Sequence, residues 1–109
     1  MNEYCIVLTA FANDEEAKKV IDAVLDSKLA ACIQTLNINS HYIWKEKTYH
    51  EPEVLALFKT SWILYDKLEA KIKELHSYEV PEIIAIDIKE GFKEYFEWID
   101  KITNQFIKN

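Results

Sequence analysis

Hydrophobic positions along the chain fall into alternating short runs and helical stripes. Tyr4 to Ala10 is a compact apolar run and predicts a first strand. Asn13 follows as a helix N-cap, with Glu16 three residues on as a capping box. Ala17, Val20, Ile21, Val24 and Leu25 then recur at helical spacing, with Lys18, Lys19 and Asp22 off the stripe, so an amphipathic helix should run to about Leu29. Ala30 to Trp44 reads as extended, and Val54 to Thr60 is a second apolar run. A turn near Lys45 to Thr48 would join them as a long hairpin. Thr60 or Ser61 offers the next cap, ahead of a stripe of Leu64, Leu68, Ile72 and Leu75. Tyr78 to Pro81 breaks that pattern, because the residue before a proline is pushed out of the α region. Ile83 to Ile88 predicts a last strand, and Tyr95, Trp98, Ile99, Ile102 and Phe106 mark a closing helix.

The order is βαββαβ with a C-terminal helix, the ferredoxin-like α+β pattern in a single domain over residues 1–109. Right-handed crossovers put both main helices on one face of the sheet. The segment Val54 to Phe58 is apolar at successive positions, so its strand needs cover on both faces. One closing helix is too little for the second face. The hairpin is also long and aromatic for a lone subunit, with Tyr42, Trp44 and Tyr49 near its tip. Association of subunits would answer both problems.

Composition narrows the function. The net charge is −6, and all thirteen basic residues are lysine. Without arginine there is no bidentate grip on phosphate or guanine, so nucleic acid is a poor partner. An acidic surface attracts cations, and it also serves solubility. No apolar stretch approaches the roughly 20 residues of a membrane helix. Cys5 and Cys32 are too few for a disulfide framework, and no signal-like segment precedes Tyr4, which points to a reducing cytoplasm. A single glycine excludes a glycine-rich phosphate loop, and no nucleophile or zinc-protease motif is present, so no catalysis is expected.

Several blocks resemble the CutA (divalent-cation tolerance) family. Leu29-Ala30-Ala31-Cys32-Ile33 is similar to its L-A-A-C-(V/I) motif, and Ser40 to Lys47 to its S-x-Y-x-W-x-G-K hairpin. Glu53 and Lys59-Thr60 fit its E-V…K-T strand. Leu75-His76-Ser77-Tyr78-Glu79-Val80-Pro81-Glu82-Ile83 matches its L-H-x-Y-E-x-P-E-I block throughout, and Tyr95-x-x-Trp98-Ile99 its closing Y-x-x-W-I. Two departures stand out. The Pro-Gly after L-A-A-C is missing, leaving Gln34 to Asn39 one residue short, and Glu46 replaces the hairpin glycine. Both suggest an altered strand or a bulge.

The resemblance implies a ferredoxin-like subunit, a tight homotrimer built through the hairpins, and a link to divalent-metal tolerance, notably copper. It implies no reaction. A trimeric small-molecule sensor of the nitrogen-regulatory PII type, with ligands in the intersubunit clefts, is the alternative. His76 with Glu79 and Glu82 is the best polar cluster, since imidazole and carboxylate suit zinc or copper. Pro81 stiffens the loop between the two acids. The competing reading is that this segment caps a helix and starts a strand. Cys32 adds a soft thiolate ligand, or else is a small buried hydrophobe. Lys59 could pair with one of the carboxylates. Tyr42, Trp44, Lys59, Tyr78 and Trp98 are expected at the interface or its cleft. His41 and His50, off the family motif letters, lie near the two ends of the hairpin turn, where they are either ordinary exposed side chains, the reading preferred from sequence, or a cross-strand pair able to bind metal.

Overall fold

A computed structural model describes residues 3–105. Its elements are β1 (Tyr4–Phe11), α1 (Asp14–Asp26), β2 (Cys32–Trp44), β3 (Lys47–Ser61), a 3₁₀ turn (Trp62–Leu64), α2 (Tyr65–Leu75), β4 (Ile84–Ile88) and α3 (Lys93–Ile102). The strands form one antiparallel sheet in the order β2-β3-β1-β4. β3 therefore lies between β1 and β2, as the pattern requires.

Local chemistry sets the boundaries. The Asn13 side chain accepts the Glu16 N–H at 2.9 Å and opens α1, with three acids in the first turn. The helix ends at Asp26, earlier than the stripe suggests, and Leu25 is exposed. Ser61 caps the 3₁₀ turn rather than α2, and its side chain makes no capping bond there. Its hydroxyl and the Trp62 N–H instead both donate to the Glu3 carbonyl, tying the start of β1 to the end of β3. Phe106 lies outside the described residues.

The expected bulge is absent. β2 and β3 pair without a break from Cys32 opposite Lys59 to Trp44 opposite Lys47. Only Lys45 and Glu46 form the turn, both with positive φ (50° and 68°). A two-residue hairpin loop with both residues left-handed matches the twist of the strands. Glu46 simply adopts the conformation that the glycine would find easier, so the register is unchanged.

Residues directly opposite in register share a face of the sheet. One face carries Cys5, Val7 and Phe11 from β1 and Val54, Ala56 and Phe58 from β3. Against it pack Ala17, Val20 and Val24 of α1 and Leu68 and Ile72 of α2, forming the core. The other face carries Ile6, Leu8, Leu55, Leu57, Leu36, Ile84 and Ile86. There α3 covers one end. The Tyr4 ring stacks on Phe96 at 4.3 Å, the Tyr4 hydroxyl donates to Asp100 Oδ2 at 2.7 Å, and Ile99 is buried. Gly91 lets this helix approach, since a Cβ there would stand 2.5 Å from the Phe96 ring. Beyond α3 the face is open: Leu36, Ile84 and Ile86 are 49, 50 and 53% exposed.

Candidate functional site

On the open face, where the hairpin arm leaves the sheet, lies a cavity of about 740 Å³. The loop from α2 to β4 forms one wall with Tyr78, Glu79 and Glu82. The arm forms the other with Tyr42, Trp44 and Glu53. Strand alternation brings the arm residues together: Tyr42 lies opposite Tyr49 and Trp44 opposite Lys47, on the same face as Glu53.

Glu53 is the anchor. It is only 8% exposed, and its carboxylate accepts the Tyr78 hydroxyl at 2.5 Å. It makes none of the ion pairs found among the described residues. Burial first, and the bond to Glu53 second, push the Tyr78 phenol well above its usual range. Glu82, though largely exposed, has its carboxyl raised from the ordinary value by partial desolvation and then by the Glu53 charge. On the arm, the Tyr42 hydroxyl donates to Glu51 Oε1 at 2.5 Å, and that carboxylate helps push the phenol to about 12. The cavity is thus acidic and aromatic, with carboxylates gathered by tyrosine hydroxyls.

His76 has a different task. Its Nε2 donates to the Ala10 carbonyl at 2.8 Å, and its Nδ1 accepts the Tyr78 N–H at 3.1 Å. The ring stacks on Phe11 at 4.7 Å. This bonding fixes a neutral imidazole, and burial lowers its pKa below the ordinary 6.5. Both nitrogens are occupied by backbone, so His76 positions the loop that carries Tyr78, Glu79 and Glu82.

The structure separates the remaining residues. Cys32, half-buried, sits at the start of β2 beside Tyr95, at the end of the face that α3 covers. Among the described residues Lys59 forms no ion pair with a carboxylate. Its Nζ donates to Gln34 Oε1 at 2.5 Å and lies 5.9 Å from the centre of the Tyr95 ring. Trp98 stacks beside Tyr95 at 5.6 Å and stays partly exposed. Among the described residues of one chain, no three His, Cys, Asp or Glu side chains come together as a metal cluster. His76, Glu79, Glu82 and Cys32 are therefore not one site within a subunit. The sequence pattern missed Glu53 as the centre of the cavity. Its signal was an acid at the inner end of an otherwise apolar strand.

A profile described as CutA1 divalent ion tolerance protein matches residues 5–102. The divalent-cation tolerance protein CutA of Thermus thermophilus is 35% identical over 99 residues, covering 90% of this chain and 96% of the relative. The Pyrococcus horikoshii CutA is 37% identical over 100 residues, covering 92% and 98%. Among solved structures, the periplasmic divalent cation tolerance protein CutA from Archaeoglobus fulgidus superposes with a TM-score of 0.90 at 31% identity, covering 92% of this chain and 98% of that one. Fold and sequence agree, and the chain belongs to the CutA1 divalent ion tolerance protein family.

Proposed function

We propose that the chain acts as a ferredoxin-like homotrimer that binds divalent cations, copper or zinc among them, without catalysis. The observation that carries this reading is a coincidence of place. The Glu53–Tyr78 cavity opens on the same sheet face that α3 leaves uncovered. A neighbouring subunit that covers Leu36, Ile84 and Ile86 would also close the cavity. Contiguous exposed apolar surface of this kind marks an interaction site. β2 is in addition an edge strand along its whole length, a template for pairing that a closed ring removes.

Glu79 and Glu82, with Glu53 behind them, are the donors we assign to the cation. Oxygen donors suit divalent ions, and a cation would offset the desolvation, and after it the Glu53 charge, that raise Glu82. One chain does not complete the site. Ligation by Cys32 would need a second subunit, and ligation by His76 a ring freed from its backbone contacts. The relatives do not favour the small-molecule sensor reading. The two free thiols support a reducing compartment such as the cytoplasm, although the Archaeoglobus fulgidus relative is described as periplasmic.

Light scattering at micromolar concentration should give about 39 kDa, three times the subunit mass of 12.9 kDa. Equilibrium dialysis with Zn(II) and Cu(II) should show binding that Glu82→Gln and Glu53→Gln weaken. A stable folded species near the subunit mass would overturn the trimer, and unchanged binding in both variants would overturn the carboxylate site.

A further inference from the structure

The hairpin arm carries a second cluster of donors. His41 stands directly opposite His50 in the β2–β3 register, three residue pairs in from the turn-closing pair Trp44–Lys47. Both side chains are exposed. The rings meet edge to face with centroids 4.9 Å apart, and the two Nδ1 atoms are 2.6 Å from each other. Two nitrogens at that distance cannot both carry a proton. One donates and the other accepts, so a lone pair and an N–H converge on one point. If that proton is exchanged through solvent to Nε2 of its own ring, both imidazoles stay neutral and two Nδ1 lone pairs face the same small volume from adjacent strands.

We infer that His41 and His50 form a two-imidazole chelate for a divalent transition-metal ion, binding through Nδ1 of each ring with water in the remaining positions. The geometry also selects among metals. With metal–nitrogen bonds of about 2.0–2.1 Å, a right-angled pair of ligands sets the nitrogens about 2.9 Å apart and a tetrahedral pair about 3.3 Å. The observed 2.6 Å must therefore open by about 0.3 Å for a tetragonal ion and by about 0.7 Å for a tetrahedral one. Small rotations of two exposed rings supply the first more readily than the second. Tetragonal geometry belongs to Cu(II) and Ni(II), and Cu(II) also heads the affinity order for nitrogen ligands. Both ligands come from one hairpin, so the site needs no second subunit and no carboxylate ligand, although His41 also borders the cavity of Glu53 and Tyr78.

The test is a Cu(II) titration of the full chain at neutral pH, followed by electron paramagnetic resonance and by the imidazole proton signals. The expected spectrum is a tetragonal Cu(II) centre coupled to two imidazole nitrogens. Substoichiometric Cu(II) should broaden the His41 and His50 ring signals before those of His76. His41→Gln and His50→Gln should each weaken binding at least tenfold, and the double variant should lose the two-nitrogen spectrum. Zn(II) should compete poorly. A two-nitrogen spectrum that survives in the double variant would overturn the assignment. So would wild-type protein whose spectrum shows no imidazole coupling or whose His76 signals broaden first, and neither of those readouts needs a variant.

Discussion

The Tyr78 hydroxyl reaches across the cavity to the buried carboxylate of Glu53, 2.5 Å away, and so fastens the loop after α2 to the inner end of the hairpin arm. Removing the hydroxyl strands an acceptor that is almost wholly out of water. Tyr78→Phe should cost about 1–3 kcal/mol, the usual penalty for a buried group left unsatisfied. Glu53→Gln keeps an acceptor and should cost less. Denaturant titration of both single variants and the double variant checks this, and a coupling energy near zero would deny that the two side chains act together.

Acid should weaken the fold through His76. The folded ring resists protonation more than the unfolded one, whose value is near 6.5. Between those two values the unfolded chain binds more protons, so stability is full above about 6.5 and falls as the pH drops below it. Glu82 works in the opposite sense. Its raised carboxyl takes up a proton more readily when folded, so acid relieves it in a lower range, above the ordinary 4.5. Thermal unfolding of wild type and His76→Gln across pH 7.5 to 5 should show a decline in the first and a flatter profile in the second. Parallel profiles would remove His76 as the cause.

The turn at Lys45 and Glu46 holds two side-chain residues where glycine or asparagine is at ease. Left-handed backbone costs an ordinary residue about 1–2 kcal/mol. Glu46→Gly should recover about 1 kcal/mol locally after the entropy of the freer glycine is counted. Amide exchange at Trp44 and Lys47 should slow, with little change in the core strands. Faster exchange at those two amides would show that the present turn is not under strain.

Cys5 and Cys32 should never pair within a subunit. Cys5 lies opposite Thr60 on the helix-covered face, and Cys32 opposite Lys59 on the other. With β3 between them, two strand spacings amount to about 9.6 Å, whereas a disulfide spans at most about 7 Å between Cα atoms. Burial, then the charge of Asp87, pushes the Cys5 thiol up to about 11. In native protein at pH 8 an alkylating reagent should leave Cys5 untouched, and guanidinium should expose it. Non-reducing mass spectrometry that finds an intramolecular bond would contradict the strand order.

Much of this was legible in the residues. Element order follows from the switch between apolar runs and helical stripes, and the need for cover on the second face follows from successive apolar positions in Val54 to Phe58. What could not be read was three-dimensional. The pairing of β2 with β3 decides which side chains share a face, and a periodicity count does not give that register. So Cys32 and His76 looked like members of one ligand set, although one starts β2 and the other ends α2. The lysine at position 59 was expected beside an acid and instead meets an amide. Glu53 falls on the E-V…K-T strand but the sequence assigns it no role, because a single acid in a strand carries no chemical signal until the loop folds over it.

The strand order also dictates a sequence of events as the chain is made. β1 leaves the ribosome first, yet its neighbours are β3 and β4, so Tyr4 must wait for Ser61 on one side and Ile88 on the other. The β2–β3 arm, by contrast, closes around a two-residue turn and can zip as soon as it emerges. Until β3 emerges, the apolar strand Cys5 to Phe11 therefore has only α1 to shelter against. A ribosome pausing between β3 and β4 would hold a hairpin ready to receive β1 with one of its edges still bare, and misassembly between nascent chains should concentrate in that interval.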